Sequence, residues 1–124
     1  MNWQNLNSVE QLRSIKESSK QNPVLIFKHS TRCAISRTAL DRLQRNWKPD
    51  EMKFVEPFYL DLLKYPDVSD QVARDFGVPH ESPQVLLIRD GKAVYDRSHF
   101  EIDYKDILAD VLANPVPEER NVRS

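Results

Sequence analysis

The chain has 124 residues, 40% of them hydrophobic, and a formal net charge of −1. This size fits one domain, since single domains most often run to roughly 100–150 residues. With 18 basic and 19 acidic residues, no overall charge favours binding to nucleic acid or to an anionic membrane. One cysteine excludes an intramolecular disulfide, and a cysteine-rich metal site cannot be built from one cysteine and three scattered histidines.

The first two elements in chain order are a helix and a strand. Residues 8–11 read Ser-Val-Glu-Gln, a capping box, and apolar residues recur after it at helical spacing. The sequence therefore predicts a helix that ends near Lys20. Pro23 then opens an apolar run to Phe27, which predicts a short strand, and a polar turn is expected over residues 29–32.

A second helix is expected from Ala34, because apolar residues recur along one face as far as Trp47. The next strand candidate runs from Phe54 to Leu60. It contains Pro57, which cannot donate a ladder hydrogen bond and so favours an edge strand or a bulge.

The two glycines of the chain mark the second half of the molecule. A helix over about 67–76 is followed by Gly77, where a left-handed C-terminal cap is expected. Asp90-Gly91 predicts a hairpin between strands at Gln84–Ile88 and Ala93–Arg97. Apolar spacing from Ile102 to Leu112 predicts a final amphipathic helix.

This order of elements predicts an α/β fold with a mixed sheet of four or five strands and helices on both faces. The strands that flank the second helix should be parallel, because a helical crossover joins them, and the hairpin adds antiparallel pairing. We expect one domain over residues 1–113 and a flexible C-terminal tail over residues 114–124, which show no apolar periodicity.

Cys33 is the best candidate for chemistry, because it lies where the first strand passes into the second helix. A helix N-terminus presents free N–H groups and a positive dipole end, which stabilise a thiolate. Ser36 follows one turn later, where its hydroxyl can lie beside the sulfur, and it replaces the second cysteine of a dithiol redox protein. Lys28 and Arg32 are cations near in sequence, although strand alternation would point Lys28 away.

Several residues together resemble known proteins. The order of elements and Ser82-Pro83 before a strand are similar to the thioredoxin fold, and Pro83 matches the position of its cis-proline. Residues 27–36 read Phe-Lys-His-Ser-Thr-Arg-Cys-Ala-Ile-Ser, which resembles the YtxJ-type bacilliredoxins, with their Thr-x-Cys-Pro-Ile-Ser motif. The chain departs from that motif at Ala34. Alanine can adopt the conformation that proline preorganises, so we expect tuned reactivity rather than its loss.

The resemblance implies a monothiol oxidoreductase that removes bacillithiol from mixed disulfides on client proteins. A cytoplasmic location is expected, because the N-terminal sequence does not read as a signal peptide and no apolar run approaches the length that spans a bilayer. Such an enzyme has no tightly bound cofactor or metal; bacillithiol is a thiol co-substrate, and an external thiol or reductase recycles the enzyme. Neither nucleic acid nor a membrane is an expected partner. The expected catalytic residues are Cys33 and Ser36, and the expected substrate-binding residues are Lys28, Thr31, Arg32, Ser82 and Pro83.

Other interpretations stay open. A monothiol glutaredoxin-like protein could hold an iron–sulfur cluster between Cys33 and a small thiol across a dimer, and a thioredoxin-like interaction module could carry an inert cysteine. Lys28 and Arg32 are interpreted foremost as solvated charges, and His29 as a surface histidine without a dyad role. His80 and His99 have no predicted function, and Trp47 and Phe76 are predicted core residues.

Overall fold

A computed structural model of the chain describes residues 1–114. The predicted tail, residues 114–124, lies outside the described residues except for Asn114. The elements are β1 (Gln4–Asn5), α1 (Val9–Ser18), β2 (Val24–His29), α2 (Ala34–Asn46), β3 (Glu56–Asp61), α3 (Pro66–Phe76), β4 (Gln84–Arg89), β5 (Lys92–Ser98) and α4 (Tyr104–Ala113). A 3-10 turn at His99–Glu101, called the 99–101 turn below, joins β5 to α4.

The five strands form one mixed sheet in the order β1-β3-β2-β4-β5. β2 is parallel to β3 and antiparallel to β4, which pairs with β5 in the hairpin. Helices α1 and α3 cover one face, where Ile26 and Val72 belong to the same apolar cluster. Helices α2 and α4 cover the other face, where Phe27 packs with Leu43. The predicted α/β class with helices on both faces is confirmed.

The local signals for helix ends and turns are confirmed. The N–H of Gln11 donates to Ser8 Oγ at 3.4 Å, and Gln11 Oε1 accepts from the Ser8 N–H at 2.9 Å, which completes the capping box. Gly77 caps α3 with a φ of 64°. Asp90 and Gly91 have φ values of 50° and 74°, as a two-residue hairpin turn between right-twisted strands requires.

The prediction for Pro57 is wrong, because β3 is an inner strand. The N–H of Glu56 donates to Pro23 O on the β2 side at 3.0 Å, so the nitrogen of Pro57 points to the β1 side. β1 has only two residues and first pairs with β3 at Phe58. Pro57 therefore faces a stretch of β3 that β1 does not reach, and no ladder bond is lost.

The predicted turn over residues 29–32 begins one residue too early. β2 continues through Lys28 to His29, where β3 pairs with it as far as Asp61. Because side chains alternate along a strand, Lys28 lies on the α1 and α3 side with Ile26, and His29 lies on the α2 side with Phe27. The last two side chains of β2 are thus inside the two helical layers rather than in a solvated turn.

Candidate functional site

Cys33 is the N-cap residue of α2, at the end of a tight turn that leaves β2. Its N–H donates to Ser30 O at 3.1 Å, and its carbonyl accepts from the Arg37 N–H at 3.1 Å. The thiol is free and partly exposed. Its sulfur makes no capping hydrogen bond, and no acidic residue lies in the first turn of α2. The positive end of the helix is therefore available to a thiolate at Cys33 without competition from a carboxylate of that turn.

Ser36 is fully buried, with 0% of its surface exposed. Its Oγ accepts from the Ser30 N–H at 3.1 Å and lies 2.6 Å from His29 Nδ1. The hydroxyl is thus bonded to the end of β2 and to the first residue of the turn. Ser36 fastens the start of α2 to the strand that precedes it, and so it fixes the turn that carries Cys33.

His29 is buried, so the interpretation as a surface histidine is wrong. Its ring lies 5.6 Å from that of Tyr59, measured between centroids, in the α2 layer. Burial lowers the pKa of His29 below its usual value; the carboxylate of Asp61 opposes this effect, and the guanidinium of Arg37 reinforces it. A neutral imidazole is the form that suits the short contact with Ser36, because Nδ1 can then accept the hydroxyl proton.

Lys28 is not a solvated charge, because none of its surface is exposed. Its Nζ lies 3.2 Å from His80 Nδ1, in the layer of α1 and α3. Burial lowers the pKa of Lys28 to about 8, against the opposing effect of the Asp70 carboxylate. Because β2 continues through this residue, its ammonium lies on the face of the sheet opposite α2. A substrate in solvent cannot contact it directly. Thr31 and Arg32, by contrast, are exposed in the turn.

Ser82 and Pro83 precede β4 and are joined by a cis peptide bond, as the resemblance implies. Lys28 pairs with Gln84 in the sheet, so Pro83 comes opposite the end of β2, where the Cys33 turn begins. The carbonyl of Pro83 accepts from the His99 N–H at 2.9 Å. Pairing of the two strands therefore brings the Cys33 turn, the Ser82–Pro83 segment and the 99–101 turn to one end of the sheet.

Two residues at this end were not singled out from the sequence. Arg37 lies four residues after Cys33 on α2, and its Nη1 donates to Thr31 O at 3.0 Å. The Cys-x-x-x-Arg spacing is the signal that would have found it. Phe100, in the 99–101 turn, has 75% of its surface exposed, and Arg42 of α2 donates to its carbonyl at 3.4 Å. No sequence pattern predicts that turn.

Among residues 1–114, no group of three or more histidine, cysteine, aspartate or glutamate side chains is placed to hold a metal ion. In the same part of the chain, no helix has the length and apolar character needed to cross a bilayer.

Comparisons with known proteins agree with this geometry. The model of a family described as monothiol bacilliredoxin BrxC matches residues 4–107. A solved structure described as a candidate oxidoreductase with a thioredoxin fold is 30% identical, with a TM-score of 0.73, and the match covers 85% of this chain and 89% of that one. Thioredoxin from Fasciola hepatica is 15% identical, with a TM-score of 0.68 over 90% of this chain and 99% of that one. Thioredoxin f2 from Chlamydomonas reinhardtii is 13% identical, with a TM-score of 0.68 over 94% of this chain and all of that one.

Proposed function

The chain belongs to the monothiol bacilliredoxin family, and from that premise we propose that it removes bacillithiol from protein mixed disulfides through Cys33. A thiol oxidoreductase role in general follows from the family and from the thioredoxin fold. The observation that carries the proposal is the sole cysteine, partly exposed at the N-terminus of α2 with no competing acidic residue in its first turn.

The proposed transfer is one thiol–disulfide exchange. The Cys33 thiolate attacks the bacillithiol sulfur of the mixed disulfide, so that a bond from Cys33 to bacillithiol forms as the bond to the client sulfur breaks. The client leaves as a thiolate and takes up a proton from water. The two electrons that later reduce the Cys33 adduct come from an external thiol or reductase, whose sulfur replaces that of Cys33 in the disulfide.

An external reductant is needed because residue 36 supplies no second thiol. In a dithiol protein the residue three positions after the nucleophile attacks the adduct, whereas Ser36 presents an oxygen that is buried and bonded to Ser30 and His29. The adduct on Cys33 should therefore persist until another molecule attacks it.

Substrate contacts are proposed for the exposed side chains and backbone around Cys33. Arg32 and Arg37 are exposed cations near the thiol, and they suit the malyl dicarboxylate of bacillithiol, since guanidinium groups bind carboxylates strongly. Thr31 and the Ser82–Pro83 segment lie at the same end of the sheet and would present polar backbone groups to an extended client segment. We further propose that Phe100 forms an apolar contact with the client protein.

The proposal is tested by measuring bacillithiol release from a test protein with a single exposed cysteine. Wild-type protein should release it with an added reductant, and Cys33→Ala should not raise the rate above that of the reductant alone. The same test protein carrying glutathione serves as the control for selectivity. Release by Cys33→Ala at the wild-type rate would contradict the proposal.

A further inference from the structure

The loop between α3 and β4, residues 78–83, ends in the cis-proline segment and is held to the rest of the protein at four points. Gln84 Nε2 donates to Pro79 O at 3.1 Å, and the His99 N–H donates to Pro83 O at 2.9 Å. The third point is His80, whose Nδ1 lies 3.2 Å from Lys28 Nζ and 3.3 Å from Ser69 Oγ. The fourth point is Glu81, whose Oε1 lies 3.8 Å from His99 Nε2. The first two contacts are bonds to loop carbonyls, whereas the third and fourth are made by side chains.

Lys28 connects this loop to the strand that carries Cys33. It belongs to β2, two residues before the Cys33 turn begins, and its pairing with Gln84 puts it directly beside the start of β4. Its side chain is fully buried, so its direction is set by packing rather than by solvent. The contact with His80, an exposed residue of the loop, therefore links the base of the Cys33 turn to the 78–83 loop.

We propose that Lys28 and His80 form a positioning pair that holds the 78–83 loop, and with it Pro83, beside Cys33. This inference rests on the proposed function, because the pair would act during bacillithiol transfer from a protein disulfide. The pair contacts neither sulfur nor substrate. It acts by keeping in place the loop backbone that a client segment must meet, and so it affects transfer from a protein more than the reactivity of the thiol itself.

The link depends on protonation, because Lys28 must donate and His80 Nδ1 must accept. Desolvation and the Lys28 ammonium lower the pKa of His80, while the carboxylates of Asp70 from α3 and Glu81 from the loop oppose them. When pH falls below the lowered pKa of His80, its ring takes up a proton, and two cations then face each other where a hydrogen bond had been. The contact between Lys28 and His80 should be lost as pH falls, while the bonds to the Pro79 and Pro83 carbonyls remain.

The test compares two rate constants over pH 5.5–7.5: bacillithiol transfer from the single-cysteine test protein, and alkylation of Cys33 by iodoacetamide. Their ratio cancels changes in the thiolate fraction of Cys33. The variants are H80A and K28M, which remove the link, and H80Q, whose amide oxygen can accept from Lys28 without titrating. K16M is the matched control, because Lys16 bridges α1 and α3 through Asp75 at 3.1 Å, on the same face of the sheet.

At pH 7.5 the ratio should fall about fivefold in H80A and K28M, the effect of losing one hydrogen bond of ordinary net strength. It should stay within about twofold of wild type in H80Q and K16M. In wild type the ratio should decline as pH falls through the lowered pKa of His80, and in H80Q it should stay level. Equal ratios for wild type, H80A and K28M at every pH would overturn the inference, as would an H80Q ratio as low as that of H80A. Absence of transfer in wild type would instead overturn the proposed function.

Discussion

At the residue scale, Cys33 is the candidate nucleophile because of the backbone conformation around it. The turn from Ser30 places the sulfur at the first turn of α2, and the Ser36 hydroxyl holds that turn against His29. The Ser36 hydroxyl thus has a structural role, and this role is distinct from the fact that serine supplies no resolving thiol. Alanine at this position would leave the Ser30 N–H without its acceptor in a partly buried place.

Ser36→Ala should lower the free energy of unfolding by about 1–3 kcal/mol, the usual cost of leaving a buried donor unsatisfied. Urea unfolding at pH 7.5 measures this change. Thr38→Ala is the control, because Thr38 is exposed on the same helix and should change stability by no more than about 0.5 kcal/mol. A Ser36→Ala protein as stable as Thr38→Ala would contradict the bridging role.

Lys28 gives an unusual dependence of stability on pH. Its pKa is about 8 in the folded protein and 10.5 when unperturbed, so between these values the unfolded chain holds a proton that the folded chain has released. Stability from this group therefore rises with pH across that window. From pH 8 to about 9.5, the free energy of unfolding of wild type should rise relative to that of Lys28→Met. Tyr95 and Tyr104, whose pKa values are raised by burial and by neighbouring carboxylates, oppose stability only above their usual value of 10.0.

A flat difference between wild type and Lys28→Met over this window would mean that the lysine keeps its ordinary pKa in the folded protein. Lys16→Met serves as the control for loss of one positive charge. The Lys16 side chain is 40% exposed and bonds Asp75, so this variant loses one positive charge without the burial that Lys28 undergoes.

Cys33 could be identified from the sequence, whereas Lys28 and His29 could not be placed. The position of the cysteine follows from local signals, an apolar run followed by a helical pattern. Polar side chains after an apolar run are ordinarily interpreted as a turn, and only pairing with β3 and β4 extends β2 through them. Burial of a lysine depends on partners that are distant in sequence, such as His80, which no local pattern shows.

At the element scale, α2 and the 99–101 turn together shape the surface beside the thiol. Arg42 of α2 bonds the carbonyls of Phe100 and Ile102, which fixes the turn against the helix. Phe100 is left with 75% of its surface in solvent, at the same end of the sheet as Pro83. Burial of such a ring by a client would stabilise the encounter by the hydrophobic effect.

Phe100→Ser should slow bacillithiol transfer from a protein about tenfold, because burial of a phenylalanine contributes roughly 1.5–3 kcal/mol. Transfer from the small symmetric disulfide of bacillithiol should keep its wild-type rate, since that substrate is too small to cover the ring. Phe54→Ser is the control: Phe54 is 41% exposed and precedes β3 at the opposite end of the sheet. Equal slowing by the two variants, or slowing of both substrates by Phe100→Ser, would exclude this contact.

Most elements could be predicted, but two short ones could not. The capping box at Ser8 and the cap at Gly77 act within a few residues, so their signals are local. β1 has two residues, which are too few to show an alternation of apolar and polar side chains. The 99–101 turn follows from the contacts of its backbone with Arg42 and Pro83, and these arise only once α2 and β4 are in place.

At the scale of the whole molecule, one crossover and one hairpin explain the sheet. Helix α2 connects the parallel strands β2 and β3, and the Asp90-Gly91 turn makes β4 and β5 antiparallel. The order of these signals predicts a mixed sheet with helices on both faces, and the thioredoxin-like class followed from the resemblance, which also uses Cys33 and Ser82-Pro83. The solved structure that is 30% identical confirms that class. The order of the signals was not sufficient to place β3 inside the sheet. The strand that covers the outer edge of β3 is β1, which has only two residues and no pattern that predicts a strand.

The same fold leaves the molecule with a nucleophile and no resolving thiol. Sulfur chemistry in residues 1–114 is confined to Cys33 and Met side chains, so the proposed cycle must stop after the first exchange. The enzyme should therefore accumulate as an adduct whenever the external reductant is withheld. This dependence separates a monothiol mechanism from dithiol reduction.

The most direct test is the intact mass of the protein after it is mixed with one equivalent of a bacillithiolated test protein without reductant. We predict that the mass rises by that of one bacillithiol joined through a disulfide, that the test protein appears as a free thiol in equal amount, and that peptide mapping places the adduct on Cys33. Release of the test protein with no adduct on Cys33, or a stable disulfide between the two proteins as the sole product, would contradict the proposed transfer.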